Sequence, residues 1–310
     1  MVPRHNRSTP PGSPIAVELS GRMSQRNVHV AGTAVQCWDY SPAEVSAATR
    51  TIVMVHGFRG DHHGLERVVE LLPQHHVIMP DLPGFGRSPA FAHTPHDVSG
   101  YTHFLDGLLN ALGLGGETVL LGHSFGSIVV SHFVAAQPQR VYPLILVNPI
   151  ASPALEGPKG LLTKLAVLYY WAAAKLPARL GQALLRSKII VHLMSVAMAK
   201  TRDPALLAFI HEQHHAYFSD FASRDMLLEA FQASVAGTVR EVATALTLPT
   251  LLIAGSDDEI APLPRQRQLV EMLPDAELVV IEGVGHLIHY ETPHRAALAI
   301  NDFLERHPAP

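Results

Sequence analysis

The sequence predicts an α/β fold: a mostly parallel central sheet covered by helices on both faces, with a block of helices inserted in the second half of the chain. Three observations predict it. Short, fully apolar runs alternate with helical patterns through the first half, and the same alternation resumes near the C-terminus. Between them, residues 152–246 are rich in helix formers and carry almost no strand signal.

Taken in order, Thr51–Val55 (TIVMV) reads as a buried strand ending at His56-Gly57, 65–72 as helix, and 76–79 (HVIM) as the next strand. Residues 101–114 place Phe104, Leu105, Leu108, Leu109 and Leu112 on one side, which is helical spacing. Residues 118–121 (TVLL) predict a strand, 127–136 a helix, and Leu144–Val147 (LILV) another strand. After the insertion come a strand at 250–254, a helix at 265–273, a strand at 277–281 and a helix over Pro293–Arg306. The expected organisation is a mobile tail at 1–24, a core built from 25–151 and 247–310, and a helical cap, or lid, at 152–246. In sheets of this kind ligands bind at the carboxyl ends of the strands.

Composition narrows the function classes. With 47% hydrophobic and 16% charged residues the chain has the profile of a globular protein. A net charge of −4 gives no nucleic-acid footprint. The single cysteine, Cys37, excludes an internal disulfide and a cysteine metal cluster, and fits a reducing cytosol. The first residues are rich in Pro, Ser, Gly and Arg and lack the apolar core of a signal peptide. No run approaches the roughly 18 apolar residues of a membrane span. The expected location is therefore cytoplasmic.

Gly122-His123-Ser124-Phe125-Gly126 is a Gly-x-Ser-x-Gly sequence between a predicted strand and a predicted helix. A serine on so tight a turn is strained, and small neighbours are needed to avoid clashes. The turn pushes the hydroxyl out above the sheet and sets the Phe125 N–H at a helix N-terminus, where positive partial charge suits an oxyanion. A neutral serine needs a base, and the base needs an anion to fix its tautomer. His286, in a glycine-flanked loop after a strand, can be the base. Three adjacent carboxylates, Asp257, Asp258 and Glu259, are open as the anion.

These residues resemble the α/β-hydrolase superfamily, and the resemblance extends over residues 51–306 apart from the insertion. His56-Gly57-Phe58 is similar to the family's oxyanion loop, and Asp81-Leu82-Pro83-Gly84-Phe85-Gly86-Arg87-Ser88 to its D-x-P-G-x-G-x-S loop. The run from Gly255 to Pro262 resembles its acid loop, G-x-x-D-x-x-x-P, and Gly283-Val284-Gly285-His286 its G-x-G-H loop. The order serine, acid, histidine also matches. The resemblance implies Ser124 as nucleophile, His286 as base, Asp258 as the acid, and the N–H groups of Phe58 and Phe125 as oxyanion donors. Some relatives carry the acid after the preceding strand; here Asn148, no anion, stands there. One departure is Ser127, where the family often has a second glycine.

His211-Glu212-Gln213-His214-His215 contains H-E-x-x-H, which on a helix could bind zinc through His211 and His215. The chain has 20 histidines, so chance matches are expected, and a cap helix is the preferred reading. No metal and no cofactor are expected.

The insertion carries the most uneven charge. All five lysines and three arginines (Arg179, Arg186, Arg202) fall within 157–202, which has no Asp or Glu. Lys164 and Lys175, about three helical turns apart, share a face with Trp171 between them. A lid with solvated lysines and a lid meeting an anionic lipid surface both fit this pattern. The expected reaction is hydrolysis of a small-molecule or lipid ester with an apolar acyl group. His56, Gly57, His123, Leu161, Leu165, Leu168 and Trp171 are the expected substrate-binding residues. The rivals are a C–C bond hydrolase, a cofactor-free perhydrolase, and a ligand-binding receptor or scaffold without turnover.

Overall fold

The computed structural model describes residues 15–153 and 160–310, with side chains from Leu19 in the first stretch and from Lys164 in the second. Helix α1 (Ile15–Arg22) leads into a hairpin of β1 (Met23–Val30) and β2 (Thr33–Tyr40). The hairpin turns at Ala31 and Gly32, both at positive φ (47° and 81°), the backbone that a tight two-residue hairpin turn requires. Next come β3 (Thr51–Val55), α2 (Glu66–Val69), β4 (His76–Pro80), α3 (Val98–Ala111), β5 (Val119–His123), α4 (Phe125–Ala136) and β6 (Leu144–Val147). The chain then enters α5 (Gly160–Lys175), α6 (Ala178–Leu185), α7 (Lys188–Met198), α8 (Pro204–Tyr217) and α9 (Arg224–Ala236). It closes with β7 (Thr250–Gly255), α10 (Leu263–Met272), β8 (Ala276–Ile281), α11 (Ile288–Glu291) and α12 (Pro293–Arg306).

The eight strands form one sheet in the order β1-β2-β4-β3-β5-β6-β7-β8. Only β1–β2 and β2–β4 pair antiparallel; the other five pairs are parallel. This is the α/β-hydrolase architecture. The apolar strands follow from burial on both faces. Along β3, Val53 and Val55 join a core with α3 and α4, through residues such as Phe104, Leu108, Ile128 and Phe133. Ile52 and Met54 point the other way, into a second core with Leu72, Ile300 and Phe303. The period of two divides the inner strands between the two layers, so neither of their faces can be polar.

Three expectations change here. Residues 15–24 are not tail: α1 packs Leu19 into the second core, its Arg22 Nε donates to the Ser41 carbonyl at 2.7 Å, and β1 begins at Met23. Residues 1–14 lie outside the described part. The helix expected at 65–72 is shorter, because after Val69 the chain turns to tighter bonds, with the Leu71 N–H donating to the Val68 carbonyl and the Leu72 N–H to the Val69 carbonyl, both at 3.1 Å. By contrast, α3 starts before the expected 101, where Asp97 caps it by accepting from the Gly100 N–H at 2.8 Å. Along the carboxyl edge of the sheet, the chain leaves β3 at His56, β4 at Asp81, β5 at Ser124, β6 at Asn148 and β7 just ahead of Asp258.

Candidate active site

Ser124 stands between β5 and α4 at φ 54° and ψ −118°, a strained conformation for a residue with a Cβ. The flanking glycines explain how the chain reaches it. A Cβ on Gly126 would overlap the Val55 carbonyl, and one on Gly122 would overlap Gly126 itself. Ser127, where the family often has glycine, has a job of its own. Its buried hydroxyl donates to the Ser124 carbonyl at 2.5 Å and accepts from the Ile150 N–H at 3.1 Å, tying the turn to the exit of β6.

The three side chains named from the sequence meet. Ser124 Oγ lies 2.8 Å from His286 Nε2, and His286 Nδ1 lies 2.8 Å from Asp258 Oδ2. Asp258 is buried, while Asp257 and Glu259 are exposed. Asp257 accepts from the Ser256 hydroxyl and Glu259 pairs with Lys200 at 3.0 Å, so neither turns toward the histidine. Burial by itself would raise the Asp258 pKa. It is outweighed by His286 and by the N–H groups of Ala261 and Ile260, which hold the carboxyl below its ordinary value. Asn148, at φ 46°, donates from Nδ2 to the same Asp258 oxygen at 2.8 Å. The residue at the alternative acid position thus orients the acid from the other loop.

The predicted oxyanion residues line the same cavity as the serine. Phe125 opens α4, so its N–H has no acceptor within the helix. Phe58 follows Gly57, which packs so closely on the turn that a Cβ there would sit 3.2 Å from both His123 and Ser124. His56 is a strut: its Nε2 accepts from the Leu82 N–H at 2.8 Å, so Nδ1 carries the proton and donates to the Gly57 carbonyl at 2.8 Å. Asp81 holds the neighbouring loop, accepting from His62 and from the Arg87 N–H.

A cavity of about 390 Å³ opens above Ser124, and His56, Gly57, Phe58, His123, Phe125 and His286 all line it. The expected contribution of α5 is corrected. Leu165, Leu168 and Trp171 are 52%, 55% and 56% exposed and face outward. They share the solvent side with Lys164 and Lys175, whose charges stay hydrated, while Ala166 and Tyr170 turn into the cavity. Leu161 lies outside the residues whose side chains are described. From the other inserted helices, Met194 and Met198 of α7, Tyr217 of α8 and Phe231 of α9 add to the apolar wall. No motif marks these positions; helix phase alone decides them.

Sequence reading also missed Arg59, which a charge beside His56-Gly57-Phe58 could have signalled. It is 2% exposed and left-handed at φ 61°. Its guanidinium donates to the Phe218 carbonyl at 2.9 Å, the Leu185 carbonyl at 2.7 Å and the Tyr170 hydroxyl at 3.2 Å, all in the inserted segment. The segment is further tied by a bridge between Phe85 and Phe221. Behind His286, the His123 ring sits 4.3 Å from that of His289, and burial, then His286, pushes the His123 pKa down to about 3.

The H-E-x-x-H residues lie on α8, where Glu212 is exposed. His211 Nδ1 pairs with the Ser195 hydroxyl at 2.6 Å, and His215 Nε2 faces His192 Nδ1 at 3.3 Å. None of the three motif residues is among the described side chains lining the cavity above Ser124.

With this geometry in view, the sequence profile of the Alpha/beta hydrolase family matches residues 52–299. A protein of Pseudomonas syringae pv. syringae named as a carbamate hydrolase, RutD, is 25% identical over 259 residues, spanning 83% of this chain and 95% of its own. Lipase 3 of a Moraxella species is 23% identical over 243 residues, 76% of this chain and 71% of the lipase. Among solved structures, a bacterial membrane phospholipase A superposes with a TM-score of 0.74 at 21% identity, covering 94% of this chain and 88% of that one.

Proposed function

Because the chain belongs to the alpha/beta hydrolase family, we propose that it is a serine hydrolase that cleaves carboxylic esters with an apolar acyl group. One observation carries the reading: the hydrogen-bonded line from Ser124 through His286 to Asp258 opens into a cavity walled by Phe58, Ile150, Met194, Met198 and Phe231. The Moraxella lipase, an ester-cleaving relative by its name, supports the same class.

In this reading Ser124 Oγ attacks the ester carbonyl while His286 Nε2 takes its proton. Asp258 stabilises the imidazolium and keeps the ring in register. The carbonyl oxygen becomes an oxyanion held by the N–H groups of Phe58 and Phe125. Collapse of the tetrahedral adduct expels the alcohol, which takes the proton from His286 and leaves an acyl ester on Ser124. Water, deprotonated by His286, attacks that ester; the acid departs and Ser124 recovers its proton. The apolar wall excludes bulk water and holds the acyl chain.

The test is turnover of p-nitrophenyl esters of increasing acyl length by the full chain beside Ser124→Ala. The expected result is hydrolysis that falls about 10⁴-fold or more in the variant. Release that does not depend on Ser124 at any chain length would overturn the reading in favour of a non-catalytic binder or another reaction.

A further inference from the structure

Of the 13 large apolar side chains that stand exposed among the described residues, nine lie between 165 and 196. They are not scattered. On α5 the outward stripe runs Lys164, Leu168, Trp171, Lys175, spaced four, three and four residues apart, with Leu165 beside it. On α7 it runs Ile189, Leu193, Val196, with exposures of 74%, 62% and 52%, and Lys188 at its start. Leu180 and Arg179 are exposed on α6, which packs against α5. The opposite sides of α5 and α7 line the cavity above Ser124.

Isolated exposed apolar residues need no explanation, but a concentration of them, rimmed by one sign of charge, marks an interaction surface. The charge identifies the partner. The segment 157–202 contains eight Lys and Arg and no acidic residue, in a chain whose net charge is −4. Lys200 is paired with Glu259, whereas Lys164, Lys175, Arg179 and Lys188 are exposed along the apolar stripes. Leucine, isoleucine and tryptophan flanked by lysine are the side chains that seat a helix in the headgroup boundary of an anionic bilayer. Crossing it is excluded for the described helices, none being long and apolar enough.

We propose that the outward face of α5, α6 and α7 docks on an anionic lipid bilayer, with Trp171, Leu168, Ile189 and Leu193 entering the interface and the lysines and Arg179 meeting lipid phosphates. Docking places the helices that wall the cavity against the lipid. It requires no turnover, so it stands or falls independently of the reaction.

Flotation of the full-length Ser124→Ala chain with vesicles tests it. One set is phosphatidylcholine alone, the other phosphatidylcholine with phosphatidylglycerol. The expected result is recovery with the anionic set, reversed by salt, together with a blue shift of Trp171 emission. The only other tryptophan, Trp38, is already fully buried, so the shift reports Trp171. Neutralising a lysine near the surface lowers partition about fivefold, so Lys164→Gln with Lys175→Gln should cost about 25-fold. Trp171→Ala should lower recovery with the anionic vesicles while leaving the thermal midpoint unchanged. Equal recovery with both vesicle sets, or none with either, would overturn the proposal. So would a dimer in solution that Trp171→Ala disperses without any vesicle binding, since the face would then belong to a second copy.

Discussion

Asp258 accepts four hydrogen bonds, from His286, Asn148 and two backbone N–H groups, and shares one oxygen between the first two. The Asn148 amide therefore does electrostatic work on the same atom that faces the histidine. Removing it in Asn148→Ala takes a donor from the charged carboxylate, so the Asp258 pKa rises toward its ordinary value. A hydrogen bond to a charged group is worth about 1.5–3 kcal/mol, which translates to a fall in kcat of about tenfold or more if it is felt in the transition state. Steady-state kinetics should show that fall with KM nearly unchanged. At this scale the sequence is highly legible. Ser124, Asp258 and His286 each sit in a short glycine-containing loop after a strand, buried throughout in β5 and β7 and half-buried in β8, and such loops leave few alternatives. The role of Asn148 was not legible, because an asparagine after a strand is read only as the absence of an acid.

Among the elements, α4 and the exit of β6 are held together by one hydroxyl. Ser127→Ala would leave the buried Ile150 N–H without its acceptor, at a cost of about 1–3 kcal/mol. Urea unfolding should show a lower midpoint at unchanged slope. The strands were readable wherever both faces are buried, as in β3, β5, β6 and β7. The hairpin was not, because four successive residues of β1 are exposed and its alternation is lost. Helix α5 is different. Leucine, valine, tyrosine and tryptophan on nearly every side give no phase by themselves, and the phase lies in Lys164 and Lys175, which put Trp171 and Leu168 on the solvent side and leave Tyr170 inside.

Taken as a whole, the molecule stores neutral histidines in its interior. Burial pushes His123 and His214 down to about 3, helped by His286 in one case and by His211 and His215 in the other. His289 is likewise held well below its ordinary value by burial and by its histidine neighbours. Folded pKa values below the unfolded value of about 6.5 mean that the unfolded chain binds protons first as pH falls. Above pH ~6.5 these groups are neutral in both states and contribute nothing. Below it, each removes about 1.4 kcal/mol per pH unit until the folded pKa is reached. His63, which Asp61 raises despite burial, works in the other direction. Thermal melts from pH 8 to pH 4 should therefore be flat at first and then fall steeply below about pH 6, and His289→Phe should soften the fall. A midpoint independent of pH over that range would show that these rings gain protons in the folded state.

Arg59 joins the loop that begins at His56 to three separate points of the inserted segment. Lifting those helices away would strip a buried cation of all three acceptors at once, so they cannot swing clear while the loop stays behind. Phe58 precedes Arg59 in the chain, and any such displacement pulls on its peptide. The peptide of Phe58 and the inserted helices are thus held to one another through a single buried guanidinium.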